Sequence, residues 1–170
     1  MKATFGEKYQ ASIVFLGLIL SLATLSVYAK NNHILVEAES FDNTGGWVVD
    51  PQFVEQMGSP YLMAHGMGEP VENAFATVSF SVKGEYHVWA RTMNWAPGKW
   101  QAPGRFNISV DQKLLKNTMG LTGGWSWEYA GKVNIQSQFT KVELVDLTGF
   151  NGRCDALYFS MTNEAPPESE

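Results

Sequence analysis

Alternation with a period of two is the feature that most restricts this chain. Within Gly84 to Asp111, Tyr86, Val88 and Ala90 fall on one face of a strand, while His87, Trp89 and Arg91 fall on the other. Phe106, Ile108 and Val110 likewise share a face opposite Arg105, Asn107 and Ser109. Successive side chains of a strand point to opposite sides, so each run buries one face and leaves the other for solvent, ligand or partner. The two runs read as a long β-hairpin. Their connection carries Trp95, Pro97, Gly98, Lys99, Trp100, Gln101, Pro103 and Gly104. That is too long and too aromatic for a minimal turn, and it predicts a binding loop or a lid folded over the sheet.

The same alternation recurs along the chain. In HILVEAES, Ile34, Val36 and Ala38 point one way and Leu35, Glu37 and Glu39 the other. Phe75, Val78, Phe80 and Val82 are core candidates of a further strand, and residues 132–135, 141–147 and 155–161 read as closing strands. Helix is confined to PQFVEQM, where Asp50 is a plausible N-cap, Pro51 a first helical residue and Gly58 a stop. Short strands at roughly ten-residue spacing with so little helix predict an all-β fold, an antiparallel β-sandwich or jelly roll in one domain.

Residues 1–29 read as a signal peptide: Lys2 and Lys8 precede an apolar run, Ala11 to Leu25, followed by Val27-Tyr28-Ala29 as a cleavage site. The run is short for a membrane span, which needs about 20 apolar residues. The expectation is a secreted or periplasmic protein with no membrane association once the leader is removed. Loss of Lys2, Lys8 and Glu7 leaves 10 basic against 16 acidic side chains. Three of the acids sit in the tail EAPPESE, and residues 163–170 are expected to be disordered because they have little apolar surface to bury. The domain proper, 30–162, is close to balanced in charge, which argues against a nucleic-acid partner. The only cysteine, Cys154, excludes an intramolecular disulfide and reads as a small buried apolar residue.

Catalytic signatures are missing. The sequence has no GxGxxG, GxxxxGK[ST], GxSxG or HExxH. His33, His65 and His87 stand on separate elements without close carboxylate or cysteine partners, so a structural role is expected for each. Glu37 and Glu39 lie too close together on one strand to flank a glycosidic bond from opposite sides. They are either a solvated strand edge or ligands of a hard cation such as calcium.

What remains is tryptophan among polar and flexible residues. Trp95 and Trp100 stand beside Lys99 and Gln101, and Trp125 and Trp127 follow a glycine-rich segment and share a face at strand spacing. Indole faces stack on the C–H faces of sugar rings while neighbouring polar groups bond hydroxyls. A protein-binding surface uses the same side chains. Trp89 with Arg91, on the outward face of their strand, forms a second candidate surface.

VEAESF, GEYHVWAR with GRFNISVD, and GFNGRCDALYFS together resemble the β-sandwich carbohydrate-binding modules of families 6 and 35, a galactose-binding-like fold. The resemblance implies a non-catalytic module that binds polysaccharide, either in loops at one end of the sandwich or on its concave sheet. It also implies a structural calcium held by Glu37, Glu39 and Asp155. A second likeness, carried by GGWVVDPQF, MGSPYLMAHG and LTGFNGRCDAL, is to an accessory β-sandwich attached to secreted FAD-dependent oxidoreductases. It implies docking onto a partner enzyme. Without a Gly-rich fingerprint, no flavin or nicotinamide is expected in this chain.

Overall fold

A computed structural model describes residues 33–94 and 102–167. The leader over residues 1–29 and the loop residues Trp95, Lys99, Trp100 and Gln101 lie outside them. Ten strands occur among the described residues: β1 His33–Glu37, β2 Trp47–Asp50, β3 Tyr61–His65, β4 Ala74–Ser79, β5 Gly84–Thr92, β6 Phe106–Val110, β7 Lys113–Leu114, β8 Ser126–Ile135, β9 Phe139–Asp146 and β10 Phe150–Ser160. A single-turn helix, α1 Val54–Met57, is closed by Gly58 in the left-handed region (φ 87°), whose N–H donates to the Val54 carbonyl. It begins later than Pro51, because the Asp50 carboxylate instead accepts the N–H of Gln52 in a turn.

All strand pairs are antiparallel, and they form two sheets. One runs β2-β3-β10-β5-β8 with β1 also on β10; the other runs β4-β9-β6-β7. The expected all-β sandwich is what the chain forms, but the expected hairpin is not. Strand β5 pairs with β10 and β8, whereas β6 pairs with β9 and β7 in the opposite sheet. Alternation fixes which face of each strand is buried and carries no information on which neighbour satisfies its backbone. The true tight hairpin is β6–β7, turned by Asp111 and Gln112, both at positive φ.

Between the sheets lie Tyr86, Val88 and Ala90 of β5, Phe106, Ile108 and Val110 of β6, and Leu157 and Phe159 of β10. Phe106 meets Trp47 edge to face at 5.5 Å, and Phe80 meets Tyr86 at 5.1 Å and Phe159 at 5.3 Å. Phe75 does not join this core. Val78 lies three residues on, so the two have opposite parity, and Ala74, Ala76 and Val78 face inward instead. Phe75 packs outside, under the Lys141 ammonium.

One turn is demanding enough to test. Gly149 has φ +66°, and a β-carbon there would run into the Glu69 backbone. Gly149→Ala is expected to lower stability by more than about 1 kcal/mol in a denaturant titration, since both the dihedral and the space oppose a side chain.

Candidate functional site

Strand β10 spans the whole sheet edge of two neighbours. Its first part pairs with β3, ending at Cys154 opposite Leu62, and its second with β1, from Ala156 opposite Glu37. On its other side the register with β5 shifts between Cys154 and Ala156. Asp155 is the residue at that bulge, and a bulge re-aims a side chain that a regular ladder would fix. The bulge brings it to Arg91 of β5, whose Nη1 lies 3.6 Å from Asp155 Oδ2.

Glu37 ends β1, but Glu39 is not on the same strand face as expected. Ala38–Ser40 form a 3-10 turn, closed by the Phe41 N–H on the Ala38 carbonyl, with Ala38 buried against the core. The EAES alternation mimics a strand that the chain has already left. Even so, Glu37, Glu39 and Asp155 feel one another. Burial pushes the Asp155 carboxyl up to about 7, Arg91 opposes this, and Glu37 and Glu39 add to it. Burial also raises Glu37, against the pull of Arg91, and raises Glu39, with the Glu37 charge contributing. Ser59 Oγ donates to Asp155 Oδ1 over a long 3.4 Å. Glu39 Oε2 and Asp155 Oδ2 are buried without a hydrogen-bond partner. Among the described residues no group of three or more His, Cys, Asp and Glu is arranged to hold a metal ion.

The second feature is a cleft of about 490 Å³ lined by Gln56, Met57, Arg91, Trp125, Ser126, Trp127, Ala165 and Pro166. This volume lies in the range of small-ligand sites. Trp125 and Trp127 therefore line one cleft. Trp125 is held edge-on by Tyr61 at 4.9 Å and Phe53 at 6.0 Å, and Trp127 meets Tyr158 at 6.0 Å. The glycine-rich segment before them is pinned by Glu128, whose carboxylate accepts the N–H groups of Leu121 and Thr122. Both indoles are half-buried, and their Nε1 atoms are covered, with no hydrogen-bond partner among the described residues. Arg91 lines this cleft and also faces Asp155, so one guanidinium joins the two features.

Trp89 is placed differently from an open stacking platform. It is 4% exposed on the outer side of the sheet, walled by Tyr129 at 5.2 Å, His87 at 5.8 Å and Tyr158 at 6.2 Å. The three histidines are engaged in the fabric: His33 stacks on Tyr158, His87 Nδ1 meets the Tyr129 hydroxyl at 2.9 Å, and His65 Nδ1 meets Asn151 Oδ1 at 2.8 Å. Cys154 is buried and its thiol is pushed well up, by burial first and by the neighbouring Asp155 next, so it is not a nucleophile.

Sequence reading missed Gln56, Met57 and Pro166 as cleft walls. It also missed a buried chain in which Arg153 Nε donates to the Tyr61 hydroxyl and Tyr61 donates to Asp50 Oδ2. The DPQ turn signal marked Asp50, but nothing local pairs it with Tyr61 or Arg153.

The two packed antiparallel sheets make a β-sandwich whose fold is that of carbohydrate-binding modules of families 6, 35 and 36. Among solved structures, the chain is similar to a GH26-CBM35 β-(1,4)-mannanase of Podospora anserina, with 17% identity and a TM-score of 0.61. That match covers 81% of this chain and 29% of the mannanase chain. It is similar to a family 35 module of Clostridium thermocellum (18% identity, TM-score 0.59, covering 75% of this chain and 96% of that one). It is also similar to a family 36 module in complex with calcium and xylotriose (12% identity, TM-score 0.52, covering 75% and 99%). These likenesses give the fold; none of them supports kinship with the accessory domain of FAD-dependent oxidoreductases. No protein-family model matches the chain, and no curated protein matches it.

Proposed function

We propose that this domain is a non-catalytic carbohydrate-binding module that takes a polysaccharide chain in the cleft between Trp125 and Trp127. The observation that carries this reading is the pairing, in one open cleft, of two half-buried indoles with the polar side chains of Arg91 and Gln56. A sugar supplies both complements at once, a C–H face for the rings and hydroxyls for the polar side chains. Asn94, the last described residue before the loop of Trp95, Lys99, Trp100 and Gln101, donates its N–H to Thr122 and is bridged to Gly123. The chain therefore enters that loop beside Gly123, two residues before Trp125. The leader over residues 1–29 fits export to where polysaccharides are met.

A calcium ion belongs to the same reading. Glu37, Glu39 and Asp155 offer hard oxygen donors, two of their oxygens are orphaned, and burial with mutual repulsion leaves the group short of positive charge. Bound there, calcium would neutralise the three carboxylates and tie β1, the 3-10 turn and β10 together. A family 36 module of the same fold is known in complex with calcium, which supports a calcium ion in this reading and leaves its ligands to Glu37, Glu39 and Asp155.

Retention on insoluble polysaccharides tests the proposal. Trp127→Ala is expected to lower retention about ten-fold, the worth of one good aromatic contact, at little cost in melting temperature. Failure of the wild type to be retained on any glycan would sink the function, and equal retention of the variant would move the site elsewhere.

A further inference from the structure

The segment after β10 carries the acidic, proline-containing sequence of the expected disordered tail. Residues 164–167 do adopt no regular element, but Pro166 is buried while Ala165 and Pro167 on either side are exposed. Pro166 and Ala165 form one wall of the cleft whose other walls are Trp125, Trp127 and Met57. The path is set from its start, since Thr162 N–H donates to Ser160 Oγ at 3.1 Å as the chain leaves β10. A buried proline in an otherwise solvated segment is a specific contact, because polar segments with no reason to dock leave all their residues in water.

Proline-containing segments suit aromatic clefts. Their backbone is already extended and stiff, so docking orders little, and the pyrrolidine ring presents an apolar face to indole. Tethering adds to this. A segment joined a few residues from its site acts at an effective concentration of about a millimolar or more, so even a contact too weak to detect between separate molecules is well populated.

We propose that residues 164–167 form an intramolecular clasp over the Trp125–Trp127 cleft, competing with whatever the cleft binds. The clasp rests on the carbohydrate reading only for the identity of its competitor. Lifting it costs apparent affinity in proportion to the time it spends closed: a clasp closed two-thirds of the time weakens binding roughly three-fold.

The test uses the full chain with tryptophan labelled by 15N, in which each indole N–H gives its own resonance. It compares wild type with a variant in which Ala165→Gly, Pro166→Ser and Pro167→Gly are combined, and with Pro166→Ala alone. The Trp125 and Trp127 resonances are expected to shift in both variants, while those of Trp47 and Trp89, buried at 2% and 4% exposure, stay in place. A synthetic peptide of sequence NEAPPESE, added to the triple variant, is expected to return the Trp125 and Trp127 signals toward their wild-type positions. Retention of the triple variant on a polysaccharide that holds the wild type should rise roughly three-fold. Unchanged Trp125 and Trp127 resonances would overturn the clasp whatever the glycan result. Shifted resonances with no retention of either protein on any glycan would uphold the clasp and reject the carbohydrate reading instead.

Discussion

Metal-free protein is expected to lose stability as the pH rises from about 4 to about 7, and calcium is expected to restore it. Asp155 has its carboxyl raised from 3.8 to about 7 in the fold, with burial as the main cause. Between those values the folded chain holds a proton that the unfolded chain has released. The stabilisation from this group is therefore complete below the unfolded value and is lost as pH climbs through the folded one, at no more than about 1.4 kcal/mol per pH unit. Glu37 and Glu39, both raised, act with the same sign. Glu85, lowered by its hydrogen bond from Lys132, acts oppositely but is solvated, so its contribution is screened.

Asp155→Asn isolates the effect. The amide keeps the shape and cannot ionise, so the whole pH-dependent part of the difference, the attraction of Arg91 included, comes from the titration of Asp155. The stability difference between wild type and Asn variant should therefore change steadily from pH 4 to 7 and then level. Calcium binds the ionised form, so at 100 times its dissociation constant it should add about 2.7 kcal/mol to the wild type at neutral pH and far less to Asp155→Asn. Thermal melts with and without chelator decide both parts. Identical wild-type melts at pH 7.5 would dismiss the metal, and a pH-independent difference between the two proteins would dismiss the buried-carboxyl argument.

Trp89→Ala is expected to cost about 3 kcal/mol or more, a drop of roughly 10 °C in melting temperature for a domain of this size, with no specific loss of glycan retention by the folded fraction. The indole is nearly fully covered and packs against His87 of its own strand and Tyr129 and Tyr158 of the strands on either side. Its removal leaves a hole that Tyr129 and Tyr158, fixed on strands, cannot close. The result separates the two surfaces that the sequence offered. A variant that melts like the wild type yet releases polysaccharide would place the ligand on the sheet face instead of in the cleft.

The parity of side chains was legible from the start. Tyr86, Val88, Phe106, Ile108 and Val110 are buried, and Trp89 and Arg91 face away from the core as alternation demands. Parity also failed in instructive places. The EAES run continued the pattern of β1 past the point where the backbone turns into a 3-10 helix. Phe75 was grouped with Val78 by hydrophobicity, although an odd spacing sets them on opposite faces. Trp125 and Trp127 were found together because they lie two residues apart. Gln56, Met57 and Pro166 complete their cleft from sequence positions about 40 to 70 residues distant, beyond the reach of any local signal.

Sequence alone determined that this chain makes strands and which residues those strands bury, because side-chain alternation and polarity are properties of each segment taken singly. Tertiary structure decided everything that depends on partners. Backbone hydrogen bonding sent β5 and β6 to different sheets, and the register shift of β10 on β5 is the bulge that turns Asp155 toward Arg91. The chain's path after Ser160 set Pro166 against the tryptophan cleft. Such choices rest on energies shared among segments far apart in the chain, and no one segment carries them.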